Sequence, residues 1–333
     1  MPYTIAEIGQ AHEGSLGMLY AYIGAIAETG VNAVKFQTHI AQAESSEFEP
    51  FRVKFSTQDE TRYAYWERMS FTPEQWKAIG AYTKSKGLEF ISSPFSNAAV
   101  DVLEDAEVDR YKIGSGEVTN LLLLEKVAKT GKPVIISSGM SSLDELDCAV
   151  KFLTDRQVKV SILQCTTAYP TQPNQYGLNV ITELKQKYPS LPIGFSDHSG
   201  SLSACIAATA FGAELLEFHV VFHKAMFGPD VKASLTPEET KELIKCCSEV
   251  EQAIKSPINK TETKHFESLK QIFEKSLAVN KDLSKGHVLT FDDLEAKKPK
   301  GYGIDASDFK SIIGRELKKS LVAWEFLNQR DIK

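Results

Sequence analysis

Apolar and polar positions alternate in short blocks along this chain. Runs of apolar and β-branched residues recur as "YTIAEI" (3–8), "NAVKFQ" (32–37), "LEFISS" (88–93), "RYKIG" (110–114), "PVIISS" (133–138), "KVSILQ" (159–164), "LPIGFS" (191–196) and "AELLEFHV" (213–220). Each has the length and composition of a buried strand. Between most of them lie segments with helical periodicity, among them "LGMLYAYIGAIAETG", "TPEQWKAIGAYTKSKG", "NLLLLEKVAKTG" and "GSLSACIAATAFG". Several of these reach a glycine just before the next strand, as in "ETGVNAV", "SKGLEF", "KTGKPVI" and "AFGAELL", the usual stop for a helix that feeds a strand. Repeated βα units predict a parallel sheet, and eight of them predict a closed (β/α)8 barrel, with an open doubly wound sheet as the alternative.

Two stretches break the rhythm. Residues 38–72 are rich in aromatic and charged residues, too long for an ordinary connection, and read as a functional loop or an insertion used for contacts. After the last barrel helix, near residue 254, "KSPINKTETKH" reads as a linker. From 276 onward short β-prone runs with Gly, Asp and Pro turns predict a small, mostly irregular β domain. The expected division is therefore a catalytic barrel over 1–255, a linker over 256–275 and a second domain over 276–333.

Composition narrows the function. The 333 residues carry 44 acidic and 38 basic side chains, a net charge of −6, without a long Lys/Arg run, so nothing indicates a nucleic-acid partner. No segment approaches the roughly 18 apolar residues of a membrane span, and the N-terminus lacks a signal-peptide pattern; a cytosolic protein is expected. The five cysteines include no CxxC pair, which indicates neither a disulfide framework nor a thiolate zinc site.

A (β/α)8 barrel builds its active site at the carboxyl ends of its strands. The polar residues expected there are Glu7, Gln10, His12 and Glu13; Lys35, Gln37 and His39; Ser92, Ser93 and Ser96; Lys112, Ser115 and Glu117; Ser137 and Ser138; Gln164, Thr166, Thr167 and Tyr169; Ser196, Asp197 and His198; and Glu217 and His219. His198 and His219 end neighbouring strands, so their imidazoles can converge on a divalent cation, or each can be hydrogen-bonded at the barrel mouth. Lys35 and Lys112 end apolar strands and must find an anion or lose their charge. Three readings stand: an anion clamp, a Schiff-base lysine, and a structural ion pair with Glu7 or Glu117. His223, His12, His39 and Trp66 are each expected to have a packing or hydrogen-bonding role at least as readily as a chemical one.

At this level of detail the chain resembles a known family, the N-acetylneuraminate (sialic acid) synthases and their relatives for legionaminic and pseudaminic acids. The matching strings are "AEIGQAHEGSL", "VKFQTHI", "FISSPFS", "YKIGSGE", "KPVIISSGM", "QCTTAYPT", "GFSDHSG", "LLEFHV" and "GPDVKASLTPEE", in the family's order. The tail resembles, more loosely, the family's antifreeze-like (SAF, β-clip) domain. The resemblance implies condensation of phosphoenolpyruvate with N-acetylmannosamine or a related acylated amino sugar, giving a nine-carbon 2-keto acid and phosphate. It also implies a divalent metal, Mn2+ or Mg2+, on His198 and His219.

Carried over residue by residue, Glu7 is the strand-1 glutamate that handles the water adding at C2 or its proton. Lys35, Lys112, Ser115 and Ser137 would hold phosphoenolpyruvate with Thr167 near it, and Tyr169 and Asp230 would lie on the sugar side. Ser93 and Ser196 complete the expected substrate-binding set. The resemblance further implies a domain-swapped homodimer whose SAF domain contributes an arginine to the acyl group; Lys298 stands here where that arginine is usual, and Lys cannot reproduce its planar fork. Gln10 and Thr167 stand where asparagine is common. The family's clamp lysines conflict with the Schiff-base reading of Lys112. A pyruvate aldolase on the same barrel, and a catalytically inactive sugar-binding relative, are the alternative functions.

Overall fold

A computed structural model describes residues 1–53 and 55–333. Eight strands, β1 (Tyr3–Glu7), β2 (Ala33–Thr38), β3 (Glu89–Pro94), β4 (Arg110–Ile113), β5 (Val134–Ser137), β6 (Val160–Cys165), β7 (Ile193–Asp197) and β8 (Leu215–Val220), pair in parallel in sequence order. β1 also pairs with β8, in the register Glu7 to His219, and closes the (β/α)8 barrel. A two-residue strand, β9 (Ser234–Leu235), extends the sheet beside β8.

The glycines that were expected to end helices do so: Gly30, Gly87, Gly131 and Gly212 all sit at φ between +70° and +88°, where a Cβ would strain the backbone. Helix starts are capped as strongly. Thr72, Ser142 and Thr236 each form a reciprocal capping box with Gln75, Glu145 and Glu239.

Strand side chains alternate, so each strand sends every second residue into the barrel. The lowest inward layer is apolar, made of Ile5, Ala33, Ile91, Ile135, Leu163 and Leu215. On β7 the matching position is Gly194, where a Cβ would fall 2.3 Å from the Leu215 carbonyl and 2.6 Å from Leu163 Cδ2. Two residues further along each strand come Glu7, Lys35, Ser93, Ser137, Cys165, Ser196 and Glu217, all buried. An apolar floor therefore carries a charged deck. The larger core lies outside the strands, between them and the helices.

The 38–72 stretch is not a bare loop, because helices Ala41–Glu44 and Arg62–Met69 form within it. Tyr65, Trp66 and Met69 of the second helix pack with Ala41 in a small core of their own.

The chain divides into two compact units, Met1–Ser256 and Pro257–Lys333. Residues 267–273, expected in a linker, form a helix in the second unit; Leu269, Ile272 and Phe273 recur at helical spacing there. The second unit has its own core, including Leu277, Val279, Leu317, Leu321 and Leu327. Its strands β10 (Ser276–Val279) and β11 (Leu294–Lys297) pair antiparallel.

Candidate active site

Strand register assembles the centre of the site. Glu7 lies opposite Lys35 on one side and His219 on the other, and Ser196 lies opposite Glu217. Lys35 Nζ is 2.8 Å from Glu7 Oε2 and 3.0 Å from Glu217 Oε1. Lys112 Nζ reaches the same Glu217 oxygen at 3.0 Å, and Ser196 Oγ donates to it at 3.1 Å. Glu217 Oε2 and Ser137 Oγ are buried without a partner.

The charges hold one another. Burial alone would raise the Glu7 carboxyl, but Lys35, His219 and Lys112 together hold it well below the usual carboxylate range. Burial opposes charge on Lys35 too, yet two carboxylates raise it above an ordinary lysine. Burial pushes Lys112 below the ordinary lysine value, with Glu217 its one direct ion-pair partner and the Lys35 ammonium opposing its charge. The structural-pair expectation for the lysines is met by Glu7 and by Glu217, not by Glu117, whose carboxylate accepts from Asn120 at 2.8 Å.

The two expected metal ligands do come together, with ring centroids 5.3 Å apart. His198 Nδ1 is 3.0 Å from the Thr166 carbonyl, which can only accept, so Nδ1 carries the proton and Nε2 presents its lone pair. Tyr169 stacks on that ring at 4.2 Å, its hydroxyl 3.3 Å from Nε2. His219 Nε2 is 3.4 Å from Glu7 Oε2. Among the described residues no cluster of three or more His, Cys, Asp or Glu is arranged to hold a metal. Two imidazoles are a donor type that borderline divalent cations accept, but the pair by itself is too few ligands for a coordination set.

Gly139 marks a second focus. A Cβ there would fall 2.6 Å from Thr167 Oγ1, 2.7 Å from Ser115 Oγ and 3.0 Å from Cys165 Sγ, and the Gly139 amide donates to Ser115 Oγ at 3.1 Å. Burial raises the Cys165 thiol, but His198 and Lys112 pull it below its ordinary value.

An open cleft of about 340 Å3 lies above this centre, lined in part by Gln37, Thr167, Tyr169, His219 and Asp230. Gln37 Nε2 donates to Glu7 at 2.6 Å, and Asp230 pairs with Arg52 at 3.4 Å. Ser93 is buried on β3 opposite Gln37. Lys298 belongs to the second unit, its ammonium 5.0 Å over the Phe273 ring.

The residues held back from chemistry have structural partners. His223 Nδ1 accepts from the Ala225 amide, and His12 accepts from Gly14 and packs on Phe71. His39 is sandwiched between Trp66 and Phe95 and pairs with Glu44 at 2.6 Å. Sequence reasoning gathered Glu217 at the barrel mouth but gave it no role. The available signal was its place two residues before His219, which puts both on one strand face. Arg52, Arg62 and Tyr65, also in the cleft, carried no such signal.

Fold and site together define a (β/α)8-barrel enzyme joined to a SAF domain. The chain belongs to the NeuB family, whose model matches residues 22–259, while residues 274–332 match the SAF domain. It is 32% identical over 331 residues to N,N'-diacetyllegionaminic acid synthase of Campylobacter jejuni, covering 98% of each chain. It is 33% identical to human N-acetylneuraminate-9-phosphate synthase, over 95% of this chain and 88% of that one. The structure of a sialic acid synthetase from Leptospira borgpetersenii, in complex with citrate, superposes with a TM-score of 0.71 at 26% identity, over 80% of this chain and 90% of that one.

Proposed function

We propose that this enzyme condenses phosphoenolpyruvate with an acylated amino sugar to give a 2-keto sugar acid and phosphate. The observation that carries this reading is the cradle around Gly139, where two hydroxyls and a backbone amide converge near a buried lysine and beside an imidazole pair. Such a cradle suits a phosphate or carboxylate, and the unpartnered Ser137 hydroxyl supplies a further donor.

His198 and His219 would hold a divalent ion, which when bound supplies Lewis-acid polarisation of a carbonyl oxygen. The chain's own groups do the rest. Lys35 and Lys112, whose charges Glu7 and Glu217 already balance, donate hydrogen bonds to the phosphoenolpyruvate anion, and Ser115, Ser137 and Thr167 orient it so that C3 faces the sugar aldehyde. Forming the C–C bond leaves an alkoxide at the former aldehyde oxygen and a cationic C2; water adds at C2, and Glu7, held as a carboxylate, relays its proton to that alkoxide. Collapse of the adduct then breaks the bond between C2 and the phosphate oxygen as the C2 hydroxyl becomes the ketone, its proton leaving with the phosphate. Tyr169 and Asp230 face the sugar.

One observation favours a Schiff-base aldolase instead: Lys112 is depressed by burial, as a nucleophilic lysine must be. That reading leaves the imidazole pair without a task. Phosphate release from phosphoenolpyruvate by chelator-stripped protein, with acylated amino sugars and with or without Mn2+, decides between the two. Release that requires both sugar and metal is expected. A borohydride-trapped pyruvate adduct on Lys112, with no phosphate release, would establish the aldolase.

A further inference from the structure

His39 follows β2 at the barrel mouth, and three side chains of the 38–72 insertion converge on it. Trp66 stacks on its ring at 3.8 Å, Glu44 Oε1 lies 2.6 Å from Nδ1, and Ser70 Oγ donates to its carbonyl at 3.0 Å. Phe95, just after β3, covers the other face of the ring at 4.6 Å, so the plane of the imidazole is fixed. The second Glu44 oxygen accepts from the Ile40 amide at 3.3 Å, which holds the carboxylate in turn.

The direction of each hydrogen bond follows from Glu7. A carboxylate can only accept, so the Gln37 atom 2.6 Å from Glu7 Oε1 is its amino nitrogen, Nε2. Gln37 Oε1 therefore points away, and it accepts from Gln10 Nε2. That same Gln10 nitrogen lies 3.2 Å from His39 Nε2, and an amide nitrogen can only donate. A proton on His39 Nε2 would meet the Gln10 hydrogens, so Nε2 presents its lone pair and Nδ1 carries the proton toward Glu44. Glu7, Gln10 and His39 are buried, and the Glu44 side chain is nearly so, which leaves little water to replace these partners.

Building on the synthase reading above, we infer that His39 is a positioning residue: its tautomer, set by Glu44, orients the amides of Gln10 and Gln37 and so holds the Glu7 carboxylate that relays the water proton. With the Gln37 amide turned over, its oxygen would face Glu7 Oε1, and two buried acceptors would push the carboxylate from its place beside Lys35. The insertion thus acts on the reacting centre through a chain of hydrogen bonds that ends on Glu7.

His39→Phe tests this, because a phenyl ring keeps the stack between Trp66 and Phe95 and removes both nitrogens. Steady-state phosphate release is expected to fall about tenfold in kcat, with KM for phosphoenolpyruvate changed less than about twofold and the melting temperature kept. Glu44→Gln removes the charge that sets the tautomer and is expected to lower kcat in the same direction. A second readout needs no turnover: in nitrogen NMR spectra of wild type with labelled histidine, the ring signal lost in His39→Phe is expected to show Nδ1 protonated and Nε2 bare. If His39→Phe does not fold, the signal shifted in Glu44→Gln identifies that ring. A proton on Nε2, kcat unchanged in both variants, or a loss matched by a lower melting temperature overturns the inference and leaves the synthase intact. Absence of phosphate release by wild type with every acceptor and metal removes the synthase reading, and with it the role given to His39.

Discussion

Glu217 ties the centre of the site together through one oxygen, which receives Lys35, Lys112 and Ser196. Replacing it by Gln keeps the shape but leaves the buried Lys112 ammonium without a counter-ion and Lys35 with Glu7 alone. Removing one partner of a buried ion pair typically costs about 3 kcal/mol or more. Glu217→Gln is therefore expected to unfold at a temperature several degrees lower, and to regain more stability than wild type on adding phosphoenolpyruvate, whose anionic groups replace the missing charge. Calorimetric scans with and without that ligand check both parts. At this scale the sequence was legible where chemistry-bearing residues end apolar strands: Glu7, Lys35, Lys112, His198 and His219 were all named, and all lie at the barrel mouth. What was not legible was partner choice. Nothing in a linear reading says that Lys112 meets Glu217 and not Glu117, since that depends on which strands face each other across the barrel.

The elements were legible to the extent that periodicity and punctuation agreed. All eight strands fell within a residue or two of the apolar runs, and four glycines ended helices as expected. The helix Arg62–Met69 escaped because its sequence, RYAYWERM, mixes charged and aromatic residues with little apolar stripe, and its burial comes from neighbours in the same insertion. In the second unit one short element depends on a single carboxylate. Asp293 closes a capping box on Thr290 and takes Lys281 and His287, each at 2.8 Å, while its side chain is 3% exposed. Burial would raise this carboxyl, but those donors hold it well below the usual aspartate range. A depressed folded-state value means that the stabilisation is full above the unfolded value, near pH 4, and is lost as pH falls below it. Asp293→Asn is expected to cost about 2 kcal/mol at neutral pH. The gap from wild type should narrow on acidification below pH 4, as followed by denaturant titration across pH.

For the whole molecule, family and architecture were readable because nine motifs appear in one order across the barrel, while polar composition hid the short helix Glu267–Phe273 within the stretch 256–275 expected as a linker. The barrel and the second unit have separate hydrophobic cores. Leu317→Ala, at a fully buried position of the second core, is expected to cost about 3 kcal/mol. Hydrogen exchange should quicken across residues 276–332 while the barrel strands keep their protection. The alternation that sets a charged deck over an apolar floor also governs how this protein can change over time. One residue added or lost within a strand would turn the lysines and carboxylates outward and bring greasy side chains into the mouth, abolishing chemistry in a single event. Length changes in the 38–72 insertion carry no such penalty. Changes in the shape of the cleft are thus expected to arise by growth and trimming of that one segment, around a barrel whose strand lengths stay frozen.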